Sequence, residues 1–331
     1  MMNTWERRHY VCGRMWLIAV MATIAAALVL PTASSAQEWP TKPVNLVVGY
    51  GAGGGVDQMA RFLARIAGDD LKQPLIIQNR PGGGGAVAAI SVKAAPADGH
   101  TLLLTTSTTF TFDHHFAKAD FSIDDFRHIA IIGQFQEVFV AHPSRPWKTL
   151  QDAIEEAKAQ KRDLKYASFY QLDRVVTAMI SKQSGVRISP VPTQGGAGVV
   201  NAVIANQVDF GTTGGTWGPS VASGTIKLLA SGPRDALKNY SSVPTLRGLG
   251  FDIETEVFVT VSAPKDTTAA VVEKISAALK KAANETSYAT FCEEQLQVRH
   301  LNLDAAETGR ALTRQSERYA KLIEAAGSAA R

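Results

Sequence analysis

The chain alternates short apolar strands with helical segments, and this alternation limits the possible folds more than any other feature. The β-rich run Val44–Val48 is followed by a glycine loop and then by apolar residues at helical spacing. Leu75–Ile77 and Thr101–Thr105 repeat the strand pattern, with a helical segment between them. Repeated strand–helix–strand units predict an α/β fold built on a parallel sheet.

A second strand-and-helix region begins near Thr149, and the pattern of the first region returns after it. Further predicted strands lie at 164–167, 188–191, 208–211 and 258–261, and helices at 269–283 and 305–325 close the chain. We therefore expect a discontinuous first lobe over 37–141 and 257–331, with a second lobe inserted over 142–256. The chain would cross between the lobes in two strands, near 137–142 and 256–261, and these would form the hinge.

The N-terminal segment has the three-part pattern of a secretory signal peptide. Arg7, Arg8 and Arg14 precede the apolar run Trp16–Leu30, and small residues follow as far as Ala36. This run of fifteen residues is short for a membrane span of about 20 residues. We therefore expect residues 1–36 to be removed and the protein to reach the periplasm. The arginine pair leaves both the general and the twin-arginine export routes open.

Composition excludes several classes of function. The formal net charge is only +4, and no run of Lys and Arg suggests a nucleic-acid partner. After Ala36 no apolar run approaches a membrane span, so the mature protein is expected to be soluble. Removal of the signal peptide takes Cys12 and leaves Cys292 alone, which excludes an internal disulfide. We expect Cys292 to be a buried and unreactive thiol.

The first glycine loop formally contains the G-x-G-x-x-G pattern at Gly49, Gly51 and Gly54. A dinucleotide site also needs an acidic residue at the end of the second strand, and Asn79-Arg80 stands there. An exported chain also rarely meets a dinucleotide, so we reject that function. The glycines still allow close approach of a ligand, and the following helix N-terminus favours an anion such as a carboxylate. A tight turn with no ligand is the other interpretation of this loop.

Patterns typical of enzymes receive little support. His114 and His115, with Asp113 and Asp120, contain metal-binding side chains, but adjacent histidines point in different directions and rarely share one ion. Ser168 is not part of a G-x-S-x-G elbow. We therefore expect no catalytic residues, no metal and no cofactor.

Several segments taken together resemble one protein family. They are Trp39–Val44, Asn79–Gly85, Ala94–Leu103, Val191–Ala197 and Ser242–Leu246. In this order they are similar to the Bug family, the TctC-like periplasmic solute-binding proteins of tripartite tricarboxylate transporters. The resemblance covers essentially the whole mature chain. It implies a two-lobed periplasmic binding protein (venus flytrap) fold, with a small mono-, di- or aromatic carboxylate bound between the lobes.

The resemblance also implies how the ligand is held and used. Backbone amides and water would make most of the contacts, and a monomeric receptor would deliver the carboxylate to membrane transporter subunits without changing it chemically. The family's loops carry over onto Tyr50, Gly51, Ala52, Gly53, Gly54, Thr105, Thr106, Ser107, Ser168 and Thr193.

The second lobe departs from the family after Ser168. The usual stretch rich in glycine and serine is replaced by Phe169–Arg174 and is about two residues shorter. Arg174 either binds a carboxylate directly, in which case a dicarboxylate is favoured, or pairs with Asp173 in solvent. Phe169 and Tyr170 either line the pocket or simply pack.

Two further residues of the second lobe are included with the predicted ligand contacts. Thr213 stands where relatives often have an acidic residue, which weakens the case for an amino-acid ligand. Trp217 either stacks on a flat ligand or belongs to the core. Two other functions stay open on sequence grounds: a secreted α/β hydrolase acting on a carboxylate-containing substrate, and a ligand-sensing subunit of a signalling system.

The signal pattern generates the first testable prediction. The mature protein should begin at Gln37. N-terminal sequencing of periplasmic protein measures this directly. Recovery of intact Met1 in the membrane fraction would show that the segment is an anchor.

Overall fold

The computed structural model describes residues 39–116, 120–215 and 217–327. The chain divides at Thr41 and Lys42 into an N-terminal unit, of which only residues 39–41 are described, and a compact second unit. The described part of the first unit contains a cis peptide bond before Pro40, and the predicted signal peptide lies outside the described residues. None of the described helices is long and apolar enough to cross a membrane. The fold below is that of the second unit.

Strands and helices alternate along most of the second unit. Its strands are β1 (Val44–Val48), β2 (Leu75–Asn79), β3 (Thr101–Thr106), β4 (Phe126–Phe135), β5 (Val138–Ala141), β6 (Leu164–Ser168), β7 (Ile188–Pro192), β8 (Phe210–Thr213), β9 (Lys227–Ser231), β10 (Val257–Pro264) and β11 (Val298–Leu303). Its helices are α1 (Gly55–Leu71), α2 (Ala86–Lys93), α3 (Thr108–Thr111), α4 (Leu150–Gln160), α5 (Gln171–Ser184), α6 (Gly195–Ile204), α7 (Gly218–Ala222), α8 (Ala269–Ala283), α9 (Thr286–Thr290) and α10 (Ala305–Ala326). The α/β class predicted from the sequence is confirmed.

The first sheet has the strand order β11-β4-β10-β3-β1-β2. β1 is parallel to both of its neighbours, whereas β10 is antiparallel to β3 and β4. β1, β2 and β3 form the parallel part that the strand–helix–strand units predict, and β10 enters the middle of the sheet from the opposite direction. All eight residues of β10 are buried, so it forms the centre of this sheet.

Helix α1 shows why the apolar spacing of the sequence produces this architecture. Met59, Leu63 and Ala67 recur every four residues and are completely buried. The helix ends at Lys72, which has a left-handed backbone with φ 53°. The glycine loop, which joins β1 to α1, lies at the carboxyl end of β1.

The second sheet has the order β7-β6-β8-β5-β9. β6 is parallel to β7 and β8, and β5 is antiparallel to β8 and β9. All five strands of this sheet lie between β4 and β10 in the chain. The carboxyl ends of β6 and β8 and the start of β5 share one edge of this sheet.

The chain crosses between the two sheets twice, before β5 and before β10. β5 pairs within the second sheet, so the first crossing lies at 136–137, before β5, whereas the predicted first lobe extends to 141. The return crossing lies between β9 and β10. The exact lobe boundaries stay a prediction.

Three strands, β4, β9 and β11, have no counterpart among the predicted elements. β4 is buried in eight of its ten residues, so it lacks the alternation that marks a half-buried strand. Cys292 is buried and free, as expected, and burial raises the pKa of its thiol to about 12. Within the described ranges no group of three or more His, Cys, Asp and Glu residues could hold a metal ion.

Two glycines make a matched test of this packing. Gly309 lies inside α10, and a Cβ there would meet no atom within 4 Å, whereas a Cβ on Gly211 would lie 2.5 Å from Val199 Cγ1. Gly309→Ala should stabilise the fold by about 0.5–1 kcal/mol, and Gly211→Ala should destabilise it by about 1–3 kcal/mol. Urea unfolding measures both free energies. Equal effects of the two substitutions would contradict this packing.

Candidate functional site

The predicted residues of the first sheet come together at one edge, where β1 and β3 end side by side. The Tyr50 hydroxyl lies 2.7 Å from Thr106 Oγ1 and also donates to the Gly84 carbonyl at 3.3 Å. Gly49 has to be glycine here, since a Cβ on it would lie 2.8 Å from Thr105 Oγ1 and 3.0 Å from Gly85 Cα. Three loops, at 49–54, 82–85 and 105–109, therefore meet at this edge.

Hydroxyl groups fill the space between these loops. Thr105 Oγ1 is 2.9 Å from Thr109 Oγ1, which donates to the Gly84 carbonyl at 2.6 Å. Thr106 Oγ1 also lies 2.8 Å from Thr108 Oγ1. Ser107 has a different place: it is fully buried, and its Oγ accepts from the Phe258 amide at 3.0 Å. Ser107 therefore ties β3 to β10.

The glycine loop is held by the carboxylate of Asp57. Gly53, with φ +81°, donates its amide to Asp57 Oδ2 at 2.8 Å. Asn79 Nδ2 and Arg61 Nε each donate to the same carboxylate at 2.9 Å. Burial raises the pKa of Asp57, but these hydrogen bonds, that of Arg61 first, outweigh it and hold the pKa below its ordinary value. The loop is thus fixed from behind by an ionised side chain.

The outer part of the same loop presents free donors. Gly51, Ala52 and Gly54 are exposed, and the amides of Gly51 and Ala52 have no hydrogen-bond partner among the described residues. They precede a helix of 17 residues, whose N-terminus carries partial positive charge. This arrangement suits an anion.

Asp113, whose sequence context suggested only a metal ligand, also lies at this edge of the first sheet. A Cβ on Gly84 would lie 2.8 Å from its Oδ2, so the carboxyl packs directly on the loop at 82–85. Burial raises the pKa of Asp113 to about 7, against a smaller opposite effect of the Thr108 hydroxyl. Burial first, and then the charge of Asp113, raise the pKa of Tyr50 to about 12.

At the second sheet, the loop after β6 closes on the carboxylate of Asp173. Ser168 Oγ donates to Asp173 Oδ1 at 2.6 Å, and the amides of Phe169 and Tyr170 donate to Oδ2 at 2.9 and 3.2 Å. Burial raises the pKa of Asp173, and these hydrogen bonds only partly offset the rise. Thr193 joins the loop because its amide and hydroxyl both donate to the Ser168 carbonyl, at 2.8 and 3.1 Å.

Glu137 lies between β4 and β5 and is absent from the predicted residues. Its Oε2 accepts from the Tyr170 hydroxyl at 2.5 Å. A Cβ on Gly214 would come within 1.8 Å of Oε1, so the carboxyl packs against the loop after β8. Burial raises the pKa of Glu137 to about 7; the Tyr170 hydroxyl lowers it and the charge of Asp173 raises it further. In the sequence, Glu137 could have been noticed as a single acidic residue between two strongly apolar strands.

The positions of Phe169, Tyr170 and Arg174 are compatible with both of the roles predicted for each residue. The Phe169 and Tyr170 rings pack with centroids 4.3 Å apart. Arg174 is exposed, and its Nε donates to Ser168 Oγ at 3.3 Å. The guanidinium therefore lies over the loop after β6, beside Asp173, which leaves both predicted roles of Arg174 open.

Thr213 and Trp217 are both buried in the described structure. Thr213 is fully buried, and its Oγ1 donates to the Gly215 carbonyl at 3.3 Å. Trp217 is 0% exposed, packs in the core of the second sheet and donates to the Gln136 carbonyl at 3.1 Å. It borders a cavity of about 400 Å³ that none of the other predicted residues lines. Trp217 packs as the core interpretation expects, and its contact with a ligand stays a prediction.

Comparison with known proteins assigns the family. The model of the family described as "Tripartite tricarboxylate transporter family receptor" (TctC) matches residues 59–328. The chain belongs to this family. TctC proteins are receptors, so the protein is a binding protein rather than an enzyme. The predicted resemblance to the Bug and TctC-like proteins is thereby confirmed.

Curated relatives extend over most of the chain. The UPF0065 protein in the gbd 5′ region of Cupriavidus necator is 30% identical over 286 residues, which covers 86% of each chain. Protein BugT of Bordetella pertussis is 28% identical over 269 residues, covering 76% of this chain and 79% of BugT.

Solved structures share the fold. Periplasmic binding protein BugD superposes with a TM-score of 0.76 at 23% identity, covering 87% of this chain and 99% of BugD. MatC from Rhodopseudomonas palustris with bound malate gives a TM-score of 0.75 at 22% identity, covering 86% and 100%. An R. palustris protein with adipate gives 0.77 at 24% identity, covering 88% and 99%. The predicted two-lobed binding-protein fold is confirmed.

The buried acid Glu137 generates a prediction about pH. The folded protein retains a proton on Glu137 that the unfolded chain releases, because the pKa rises from 4.5 to about 7. Wild-type stability should therefore fall as pH rises through this window and then level off. Glu137→Gln should lack this loss, so its melting temperature should gain on wild type from about pH 5 to about pH 8. Exposed Glu317→Gln serves as the control. A pH-independent difference between Glu137→Gln and wild type would contradict the assignment.

Proposed function

We propose that this protein is a periplasmic receptor that binds a small carboxylate between its two lobes and delivers it to a membrane transporter. The observation that carries this proposal is the pair of exposed, unpartnered amides at Gly51 and Ala52, at the N-terminus of α1. Backbone donors at a helix start bind anions without a positively charged side chain. Export through the N-terminal signal pattern would place the receptor in the periplasm.

The hydroxyl groups beside these amides support the same proposal. Tyr50 and Thr106 lie next to the loop and are linked to each other at 2.7 Å. Each hydroxyl can donate one hydrogen bond and accept others, so the group can reorient toward a carboxylate oxygen. Asp57 fixes the loop by accepting from the Gly53 amide. The ligand would thus meet a preformed set of donors, which lowers the entropic cost of binding.

Binding between two lobes would give the loaded receptor a different conformation from the empty one. The proposed first lobe contributes the loops after β1 and β3, and the proposed second lobe the loops after β6, β7 and β8. A ligand that contacts both sets favours the closed arrangement over the open one. Malate in MatC and adipate in the second R. palustris protein lie in proteins of the same fold. A carboxylate ligand is consistent with those structures.

A thermal-shift and calorimetric screen tests the function. The panel contains acetate, malate, adipate, 6-hydroxyhexanoate and benzoate. A panel member present at 100 times its dissociation constant should stabilise the protein by about 2.7 kcal/mol. Absence of any shift across these carboxylates would overturn the proposal.

Gly54→Val tests the place of binding. The Gly54 backbone has φ −73°, and a Cβ there would meet only the Gly51 carbonyl oxygen, at 3.4 Å. The fold should therefore tolerate the side chain, which would stand beside the free amides and reduce carboxylate affinity at least tenfold. Gly309→Val, in open space on α10, is the matched control. Unchanged affinity of Gly54→Val in calorimetry would remove this loop from the site.

A further inference from the structure

The two loops that face the proposed ligand differ in which of their donors are free. At the first sheet, Asp57 takes the Gly53 amide and leaves those of Gly51 and Ala52 without partners among the described residues. At the second sheet, Asp173 stands at the same position of its helix, the third residue of α5. Its carboxylate accepts hydrogen bonds from four groups of β6 and the following loop.

The Asp173 carboxylate occupies the place where an anion would bind the second loop. It accepts from Ser168 Oγ, from the amides of Phe169 and Tyr170, and from the Tyr166 hydroxyl at 3.3 Å. Asp173 is only 3% exposed, and it is part of the helix whose N-terminus it neutralises. A free ligand carboxylate would have to displace a carboxylate that is already covalently held in position.

Glu137 adds a second acceptor to the same side of the site. Its carboxyl takes the hydroxyl of Tyr170 at 2.5 Å and packs on Gly214. The N-terminus of α6 is close to this acid, because a Cβ on Gly196 would lie 2.7 Å from Oγ1 of Thr213, the neighbour of Gly214. An anion at the start of α6 would therefore approach the Glu137 carboxyl.

Arg174 does not reverse this balance of charge. Its Nε donates to Ser168 Oγ, the atom that itself donates to Asp173. The guanidinium is exposed to solvent, which screens its charge, and the charge of Arg174 is the smallest of the effects on the pKa of Asp173. The second-lobe side thus presents two buried acids, whereas the first-lobe side presents free amides.

We propose that the receptor selects a monocarboxylate whose other end carries a hydrogen-bond donor, such as a hydroxyl, an amide or an ammonium group, and discriminates against dicarboxylates. This inference rests on the proposed function. The carboxylate binds the free amides of the first loop, and the donor faces Asp173 and Glu137. A second carboxylate of the same chain length would meet the Asp173 carboxylate and, at a pH above the pKa of Glu137, a second negative charge. Like charges oppose binding, so the ligands are compared at pH 8.

Calorimetry with matched ligands tests the selectivity. The pair is 6-hydroxyhexanoate and adipate, which differ only in the terminal group, and 6-aminohexanoate extends the series. Wild type should bind the hydroxy or amino acid at least tenfold more tightly than adipate. A preference for adipate would overturn the selectivity while leaving the carboxylate receptor intact. Failure to bind any carboxylate of the full panel would overturn both.

Two substitutions locate the selectivity. Asp173→Ser releases the loop donors and removes the charge, so affinity for adipate should rise at least tenfold relative to 6-hydroxyhexanoate. Asp57→Ser makes the same change at the equivalent helix position of the first lobe, and it should weaken both ligands by a similar factor. An unchanged ratio in Asp173→Ser, with melting temperature and circular dichroism of a folded protein, would contradict the role of Asp173.

Glu137→Gln provides an independent variant if Asp173→Ser does not fold. The amide keeps the size of the side chain, removes one acid and should shift the ratio toward adipate by about threefold or more. No shift in Glu137→Gln would remove Glu137 from the selectivity, and the ligand ratio of wild type would still decide the proposal.

Discussion

The antiparallel pairing of β10 with β3 and β4 is the constraint on which the rest of the structure depends. The chain leaves the first sheet after β4, builds the second sheet, and returns as a fully buried strand in the centre of the first. Ser107 and Phe258 exchange hydrogen bonds where β3 and β10 meet, at 2.8 Å between backbone groups and 3.0 Å to Ser107 Oγ. The loops at the carboxyl ends of β1 and β3 are positioned by this central strand.

Local pattern was sufficient for the parallel strands and for the long helices α1, α8 and α10. The helix at 269–283 begins and ends where the sequence predicts, because apolar residues recur at helical spacing along it. Strands such as β4 escape prediction because a strand buried on both faces lacks alternation, and its pairing is decided by residues far away in the chain. The antiparallel direction of β10 is likewise a property of the topology, which no local window contains.

The sequence predicted the residues of the glycine and threonine loops but not the buried acids, because burial also depends on packing between distant segments. Glycine loops and threonine-rich turns have a local signature, and Tyr50 and Thr106 do come together as predicted. The acids Asp113 and Glu137 derive their character from burial, which depends on the packing of loops from several strands. The family resemblance implies that backbone amides after Ser168 bind the ligand. In the structure the amides of Phe169 and Tyr170 donate to Asp173 instead, and only the three-dimensional contacts reveal this.

The exposed amides of Gly51 and Ala52 belong to the main chain, and every amino acid except proline supplies such a group. Recognition that uses them depends on the path of the backbone rather than on the identity of particular side chains. A lineage can therefore replace most of its surface residues and retain an anion-binding turn, while the opposite loop diverges to accept new compounds.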